Sequence, residues 1–204
     1  MVDKYGVGQD PYCYPSSDVL RNLLHIHDEE QLQKAERELS EIAASKFRLF
    51  PPPYNLNLLQ HIHKSLFCDI YEWAGLPRTV NIQKGDTLFC TAERIIPEAE
   101  KIFRSMESAA WFTGTSKAEL VTDIAEAYGD LNVIHPFREG NGRTQRILFE
   151  QIIINAGFAV DWWLVKDVAW IPANIDAVTC DYRGLEAIFE RCIGDPLDAP
   201  LSQN

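Results

Sequence analysis

The chain predicts an all-α fold, a helical bundle around one central buried helix, with a single small β-hairpin. Three observations carry that expectation. Apolar residues recur at three-and-four spacing through most of the 204 residues, in segments opened by capping residues. Residues 143–156 are too apolar for a surface helix, which makes them the axis of the bundle. Only residues 78–90 exchange the helical period for an alternating one.

In chain order, residues 1–16 are rich in Gly, Pro and Tyr and read as loop. Ser17 is placed to cap a short helix through Ile26 that carries Val19, Leu20, Leu23 and Leu24. Asp28, followed three residues on by Gln31, has the capping-box pattern and opens a helix with Leu32, Ala35, Leu39 and Ile42 on one face. Pro51-Pro52-Pro53 stops what precedes it. Asn55 then starts a periodic helix through Leu59, Ile62, Leu66, Ile70 and Trp73, closed by Gly75 and Pro77.

From Arg78 to Cys90, Val80 and Ile82 alternate with polar residues, Lys84-Gly85-Asp86 turns, and Thr87-Leu88-Phe89 returns. This hairpin is expected to be the only sheet-like element. Pro97 suits the first turn of a helix with Ala99, Ile102, Phe103 and Met106. Ser116 and Glu119 form a second capping box, opening a helix with Leu120, Ile124, Tyr128 and Leu131 that runs up to His135. Gly157 ends the axial helix. Two further helices are expected near 162–175 and 184–193, packed by Trp162, Trp163 and Trp170, before a polar tail ending Ser202-Gln203-Asn204. Without an internal repeat or a low-complexity tract, residues 1–204 read as one domain.

The charge balance excludes several classes of function. With 30 acidic against 19 basic side chains the net charge is −11, which argues against nucleic-acid binding, since phosphate backbones require a basic face. No apolar run approaches the roughly 18 residues of a membrane span, and the first residues lack the apolar stretch of a secretory signal. Five scattered cysteines without a C-x-x-C pair fit a reducing compartment, so a cytoplasmic protein is expected. His25/His27 and His61/His63 are not read as metal pairs, because helical residues two apart point about 200° away from each other.

Chemistry concentrates in His135-Pro136-Phe137-Arg138-Glu139-Gly140-Asn141-Gly142-Arg143-Thr144-Gln145-Arg146. A helix, a Gly-rich loop and a second helix present backbone N–H groups to an anion. Gly140 and Gly142 let the backbone approach phosphates, and Asn141 can donate to an oxyanion as charge builds. Arg143 and Arg146, at i and i+3, can fork onto further phosphates. Glu139 is a carboxylate suited to Mg²⁺, which takes one or two protein carboxylates plus phosphate oxygens. His135, where its helix ends, can accept the proton of a hydroxyl nucleophile. A helix C-terminus favours the imidazolium, so the sequence leaves its protonation open. Phe137 is the apolar anchor of the loop, and Arg138 has no assigned role.

These twelve residues match the signature of the Fic family, His-x-Phe-x-(Asp/Glu)-Gly-Asn-Gly-Arg-x-x-Arg, at every fixed position. Tyr71-Glu72-Trp73-Ala74-Gly75, with Arg78 and Lys84-Gly85-Asp86, resembles the family's segment before its target-docking flap. Asp10-Pro11-Tyr12 through Tyr14-Pro15 is similar to the opening of small bacterial Fic toxins, so the resemblance covers nearly the whole chain. It implies a Fic fold and a protein adenylyltransferase that moves AMP from ATP onto a Tyr, Thr or Ser hydroxyl of another protein, with Mg²⁺. His135 and Asn141 would be catalytic, Gly140, Asn141, Gly142, Arg143 and Arg146 would bind nucleotide, and Glu139 would hold the metal. Two alternatives are transfer of the γ-phosphoryl, disfavoured because phosphotransferase-like members carry Lys where Gly142 stands, and a non-catalytic nucleotide- or partner-binding Fic domain.

Three partner expectations follow from the resemblance. The 78–90 hairpin is the flap on which a target docks as an added strand. The target, by analogy with the small toxins, is one of the polypeptides of a type II topoisomerase, such as DNA gyrase B. Many Fic proteins also carry their own brake, (Ser/Thr)-x-x-x-Glu-(Gly/Asn), whose Glu pairs with the second motif arginine, here Arg146. Only Thr115 and Thr122 have Glu four residues on, and Glu119 and Glu126 are followed by Leu120 and Ala127. The expected brake is therefore the glutamate of a small antitoxin in a toxin–antitoxin pair.

Overall fold

The protein is described by a computed structural model over residues 10–165 and 167–197. Seven α-helices lie among these residues: α1 (Glu29–Ala44), α2 (Leu56–Phe67), α3 (Ile95–Ser108), α4 (Lys117–Ile134), α5 (Asn141–Asn155), α6 (Asp167–Ala177) and α7 (Arg183–Cys192). Four short strands complete them: β1 (Gln83–Lys84), β2 (Thr87–Leu88), β3 (Phe158–Val160) and β4 (Ile193–Pro196). Residues 1–9 of the expected N-terminal loop and the polar tail from 198 lie outside the described residues.

The caps are where the residue types require them. The Asp28 carboxylate accepts from Gln31 N at 2.9 Å and the Asn55 side chain from Leu58 N at 2.9 Å. At α4 the box is reciprocal: Ser116 Oγ accepts from Glu119 N at 3.3 Å, and the Glu119 carboxylate accepts from Ser116 N at 2.9 Å. The helices then pack in a series, α1 on α2, α2 on α5, α5 on α4, α4 on α7 and α7 on α6. α5 lies inside this series, between α2 and α4, and its Leu148, Phe149, Ile152 and Ile153 are fully buried. Each such side chain stabilises the fold by about 1.5–3 kcal/mol relative to exposure.

Three expectations are corrected. Residues 17–26 are not helical: Tyr14 N donates to Val19 O, Arg21 N to Tyr12 O, and Cys13 bridges Leu20. The Asn22 side chain takes over the backbone groups a helix would have used, donating to Leu20 O and Ile26 O and accepting from Ile26 N. The helix begun at Asn55 stops at Phe67, not Trp73. Ile70 N and Tyr71 N both bond to Phe67 O, so tight turns of three and four residues preserve the apolar spacing after the helix has ended. Finally, the 78–90 hairpin is not the only sheet-like element. It is present, with Gln83 opposite Leu88 and Lys84 opposite Thr87, but β3 and β4 form a second antiparallel ribbon, with Val160 opposite Ile193.

Of the tryptophans assigned to packing, Trp170 is buried and Trp162 partly so, while Trp163 is 94% exposed. Among the described residues no helix is long and apolar enough to cross a membrane.

Candidate active site

Residues 135–140 connect α4 to α5 by a backbone that several distant elements hold in place. His135 caps α4 in the left-handed region, with φ 47° and ψ 61°, a conformation costing a non-glycine residue about 1–2 kcal/mol. Arg78, 2% exposed, compensates for that strain. Its Nε donates to His135 O at 2.8 Å, its Nη2 to Ile134 O at 3.2 Å, and its backbone N to Pro136 O at 2.8 Å. The same guanidinium reaches both ends of the flap, through Val80 O at 2.6 Å and Cys90 O. Desolvation lowers the affinity of Arg78 for its proton, which makes these carbonyl partners necessary.

Phe137 is fully buried, anchoring the loop as its apolar character requires. Gly140 turns the chain at φ 80°, and a Cβ there would meet the Phe67 ring at 2.4 Å. α5 then begins, and as in any helix its first N–H groups, on Asn141, Gly142 and Arg143, have no partner within the helix. A Cβ at Gly142 would meet no other element within 4 Å, so the helix surface at Gly142 is open.

His135 Nδ1 lies 3.3 Å from Asn132 O, and since a carbonyl only accepts, Nδ1 carries the proton and Nε2 holds the lone pair. Burial pushes the imidazole down to about 3, with the Lys84 and Arg78 cations adding to the shift and Glu139 opposing it. The shift favours the neutral imidazole, the form able to accept a proton, against the pull of the helix C-terminus. The Phe89 ring, on the return limb of the flap, stacks on it at 4.0 Å. His135, Arg138 and Glu139 line one small cleft with Ile82, Gln83, Lys84 and Phe89, so the flap and the loop contribute to a single site.

Other side chains depart from expectation. The Asn141 amide, expected at an oxyanion, is buried and closes the loop on itself: it accepts from Phe137 N and donates to Phe137 O, both at 2.8 Å. Arg143 and Arg146 do not extend together, because each is engaged by a different element, α1 and α2 for Arg143 and α6 for Arg146. Arg143 pairs with Glu36 on α1 at 2.8 Å, donates to Ser40 Oγ at 3.1 Å, and lies over Phe67 at 4.7 Å. Arg146 lies over the Trp170 ring on α6 at 5.9 Å.

Several residues that shape this site were not singled out from sequence. Arg138, left without a role, forms a buried 2.8 Å ion pair with Asp10, 128 positions away, which binds the N-terminal segment to the loop. His63, considered only as a metal ligand, bonds to the Glu139 carbonyl at 2.9 Å. Glu36 accepts from both Arg143 and the Tyr71 hydroxyl. These partners are far apart in sequence, and only Arg78, flanking the flap segment, carried a local signal.

Among the described residues no group of three or more His, Cys, Asp or Glu could enclose a metal. Glu139 at the cleft, accepting from Gly140 N at 3.0 Å, fits an ion that takes one carboxylate and completes its shell with phosphate oxygens, as Mg²⁺ does.

Comparison with known proteins identifies the family. The Fic/DOC family profile matches residues 53–153. A protein of Escherichia coli named "Probable protein adenylyltransferase Fic" is 38% identical over 195 residues, covering 96% of this chain and 98% of its own. The protein adenylyltransferase VbhT of Bartonella schoenbuchensis is 34% identical over 92% of this chain and 40% of its own length. Among solved structures, the N-terminal Fic domain of a VirB-translocated effector from Bartonella quintana with bound ADP superposes with a TM-score of 0.85. It is 27% identical and covers 93% of this chain and 97% of its own. BepC from Bartonella tribocorum with bound AMPPNP gives 0.83, at 26% identity over 92% and 97%. Signature loop, helical architecture and close relatives over nearly the whole length agree, and the chain belongs to the Fic/DOC family.

Proposed function

We propose that this protein is a protein adenylyltransferase that moves AMP from ATP to a hydroxyl side chain of a bacterial target protein, with residues 1–204 acting as one catalytic domain. The observation that carries the reading is the shared cleft, in which His135, protonated at Nδ1 and with its Nε2 lone pair left for a proton, lies with Glu139 against the flap. Relatives named as protein adenylyltransferases and neighbours holding ADP and AMPPNP support it.

In this reading His135 Nε2 takes the proton of the Tyr, Thr or Ser hydroxyl as its oxygen attacks the α-phosphorus and pyrophosphate leaves. The Gly140–Gly142 backbone and the first N–H groups of α5 hold the α-phosphate, with Asn141 keeping the loop closed around them. Arg143 and Arg146 take the β- and γ-phosphates from either flank. Glu139 is the residue that would hold Mg²⁺, which would neutralise phosphate charge there. Label carried at the α-phosphate of ATP is expected on the target, and label at the γ-phosphate is not. Transfer of γ label would replace adenylyltransfer by phosphotransfer.

We further propose that the target docks by adding a strand to the β1–β2 hairpin, whose residues are mostly exposed. The target class is a type II topoisomerase polypeptide such as DNA gyrase B, and the protein acts in the cytoplasm as the toxin of a toxin–antitoxin pair. The antitoxin supplies a glutamate to Arg146. Supporting this, the helix whose Trp170 lies under Arg146 presents an apolar outer stripe of Val168, Ile171 and Ile175, with Trp163 and Leu164 beside it, suited to a partner helix. Co-expression of the neighbouring small gene is expected to relieve growth arrest. Changing its brake glutamate to Gly is expected to restore toxicity without dissolving the complex, and a chain inert alone but activated by Arg146 substitution would place the brake within the toxin.

A further inference from the structure

His63 is fully buried in α2 and bonds to two separate segments, the turn at Gly75 and the active-site loop. Gly75 N donates to its Nδ1 at 2.8 Å, so Nδ1 carries no proton. Its Nε2 lies 2.9 Å from Glu139 O, and a carbonyl can only accept, so Nε2 carries the hydrogen. Both ring nitrogens are therefore committed, in one tautomer, to two backbone groups. The ring plane is set as well, by stacking on Phe137 at 3.9 Å and 24°. Gly75 itself is constrained to glycine, sitting at φ 83° with the space of a Cβ already filled by Lys64 and Gln60.

We propose that His63 is a positioning residue for the nucleotide loop: oriented by Gly75, its Nε2–H fixes the Glu139 carbonyl and with it the approach of the loop to the phosphates. The geometry favours this over simple core filling. An apolar side chain would fill the space equally well, whereas the bond to Glu139 acts on the peptide directly before Gly140, where the chain reverses over Phe67. Phe67, one turn further along α2, supports Gly140 and lies under Arg143. One face of α2 thus bears on the loop and the start of α5, and His63 does so by a directional bond where Phe67 does so by packing. The two bonds together hold the ring in a single neutral tautomer.

The proposal rests on the adenylyltransferase reading, and its test separates the two. The amide of Asn falls near the position of imidazole Nδ1, and that of Gln near Nε2. His63→Asn therefore retains the acceptor for Gly75 and loses the donor to Glu139, and His63→Gln does the reverse. AMPPNP affinity by calorimetry, melting temperature, and KM and kcat for target labelling would be measured on the parent and both variants. His63→Asn is expected to bind AMPPNP about tenfold more weakly, the worth of one lost buried hydrogen bond, with KM for the target little changed. His63→Gln is expected to stay within about threefold of the parent. Equal affinity in all three, or equal losses in both variants that follow melting temperature, would overturn the proposal. If neither variant folds, nitrogen-15 NMR of the parent decides: the Nε2–H tautomer with a slowly exchanging proton that shifts on AMPPNP addition supports it, and the Nδ1–H tautomer or a flipping ring refutes it. A parent that binds no AMPPNP would instead count against the nucleotide site, while the tautomer still tests the contact of His63.

Discussion

A methyl group added at Gly140 would meet the Phe67 ring at 2.4 Å on a backbone with φ of 80°, whereas one added at Gly142 meets nothing within 4 Å. The motif writes both as glycine, but the reasons differ. Gly140→Ala must displace a core aromatic and strain the backbone, and is expected to destabilise the fold by about 1–3 kcal/mol or more. Gly142→Ala lies in a helical first turn, where Ala suits the backbone at least as well, so its melting temperature is expected to match the parent. Its loss should appear in nucleotide affinity alone, because the methyl group enters the space before the α5 donors. Thermal melts alongside AMPPNP titrations separate the two, and a Gly142→Ala protein that binds nucleotide normally would show that the open space is not the phosphate site. His135 and His63 differ in a comparable way. One carries its proton on Nδ1, the other carries it on Nε2 and receives a hydrogen bond at Nδ1, and only the carbonyl and amide beside each ring decide which.

Among the elements, the flap is tied to the catalytic loop by Arg78, whose guanidinium collects carbonyls from Val80 and Cys90 on one side and from Ile134 and His135 on the other. Lysine keeps the charge but not the fork, so Arg78→Lys is expected to lower kcat for target labelling about tenfold while AMPPNP affinity stays within about threefold. Loss of nucleotide binding in equal measure would mean that the whole loop has collapsed. Elements of this kind differ in how well sequence reports them. α4 and α5 were legible because caps and apolar periodicity are local, and the loop because its residue types are constrained one by one. The stretch 17–26 misled because its apolar residues fit a helix, while the Asn22 side chain satisfies the backbone without one. β3 and β4 were hidden because their pairing joins residues over thirty positions apart, and β4, Ile-Gly-Asp-Pro, has no alternation to read. The supporting contacts of the site, Asp10 on Arg138 and His63 on Glu139, were invisible for the same reason of distance in sequence.

For the molecule as a whole, burying neutral histidines sets the response to acid. His63 titrates near its ordinary value of 6.5 when unfolded and at about 4 when folded. Above 6.5 both states are neutral and the fold has its full stability. As pH falls from about 6.5 to about 4, only the unfolded chain takes up the proton, which costs the fold about 3 kcal/mol by the lower limit. Burial of His135 acts in the same direction. Urea midpoints are therefore expected to fall steadily from pH 7 to pH 4, with a shallower slope in His63→Gln, and a midpoint independent of pH over that range would contradict the buried neutral state. A last consequence concerns the Arg78 contacts. They grip the flap only at its stem, Val80 and Cys90, while Gln83 to Leu88 extend beyond them with Leu88 largely exposed. On the docking proposed above, the stem acts as a chuck and the tip as an interchangeable bit. Descendants of such a protein could acquire new clients by redrafting the outermost residues while the machinery for handling ATP is inherited unaltered, and a graft of another family member's residues at 85–88, which leaves the cleft-lining Gln83 and Lys84 in place, should redirect labelling without retuning the nucleotide site.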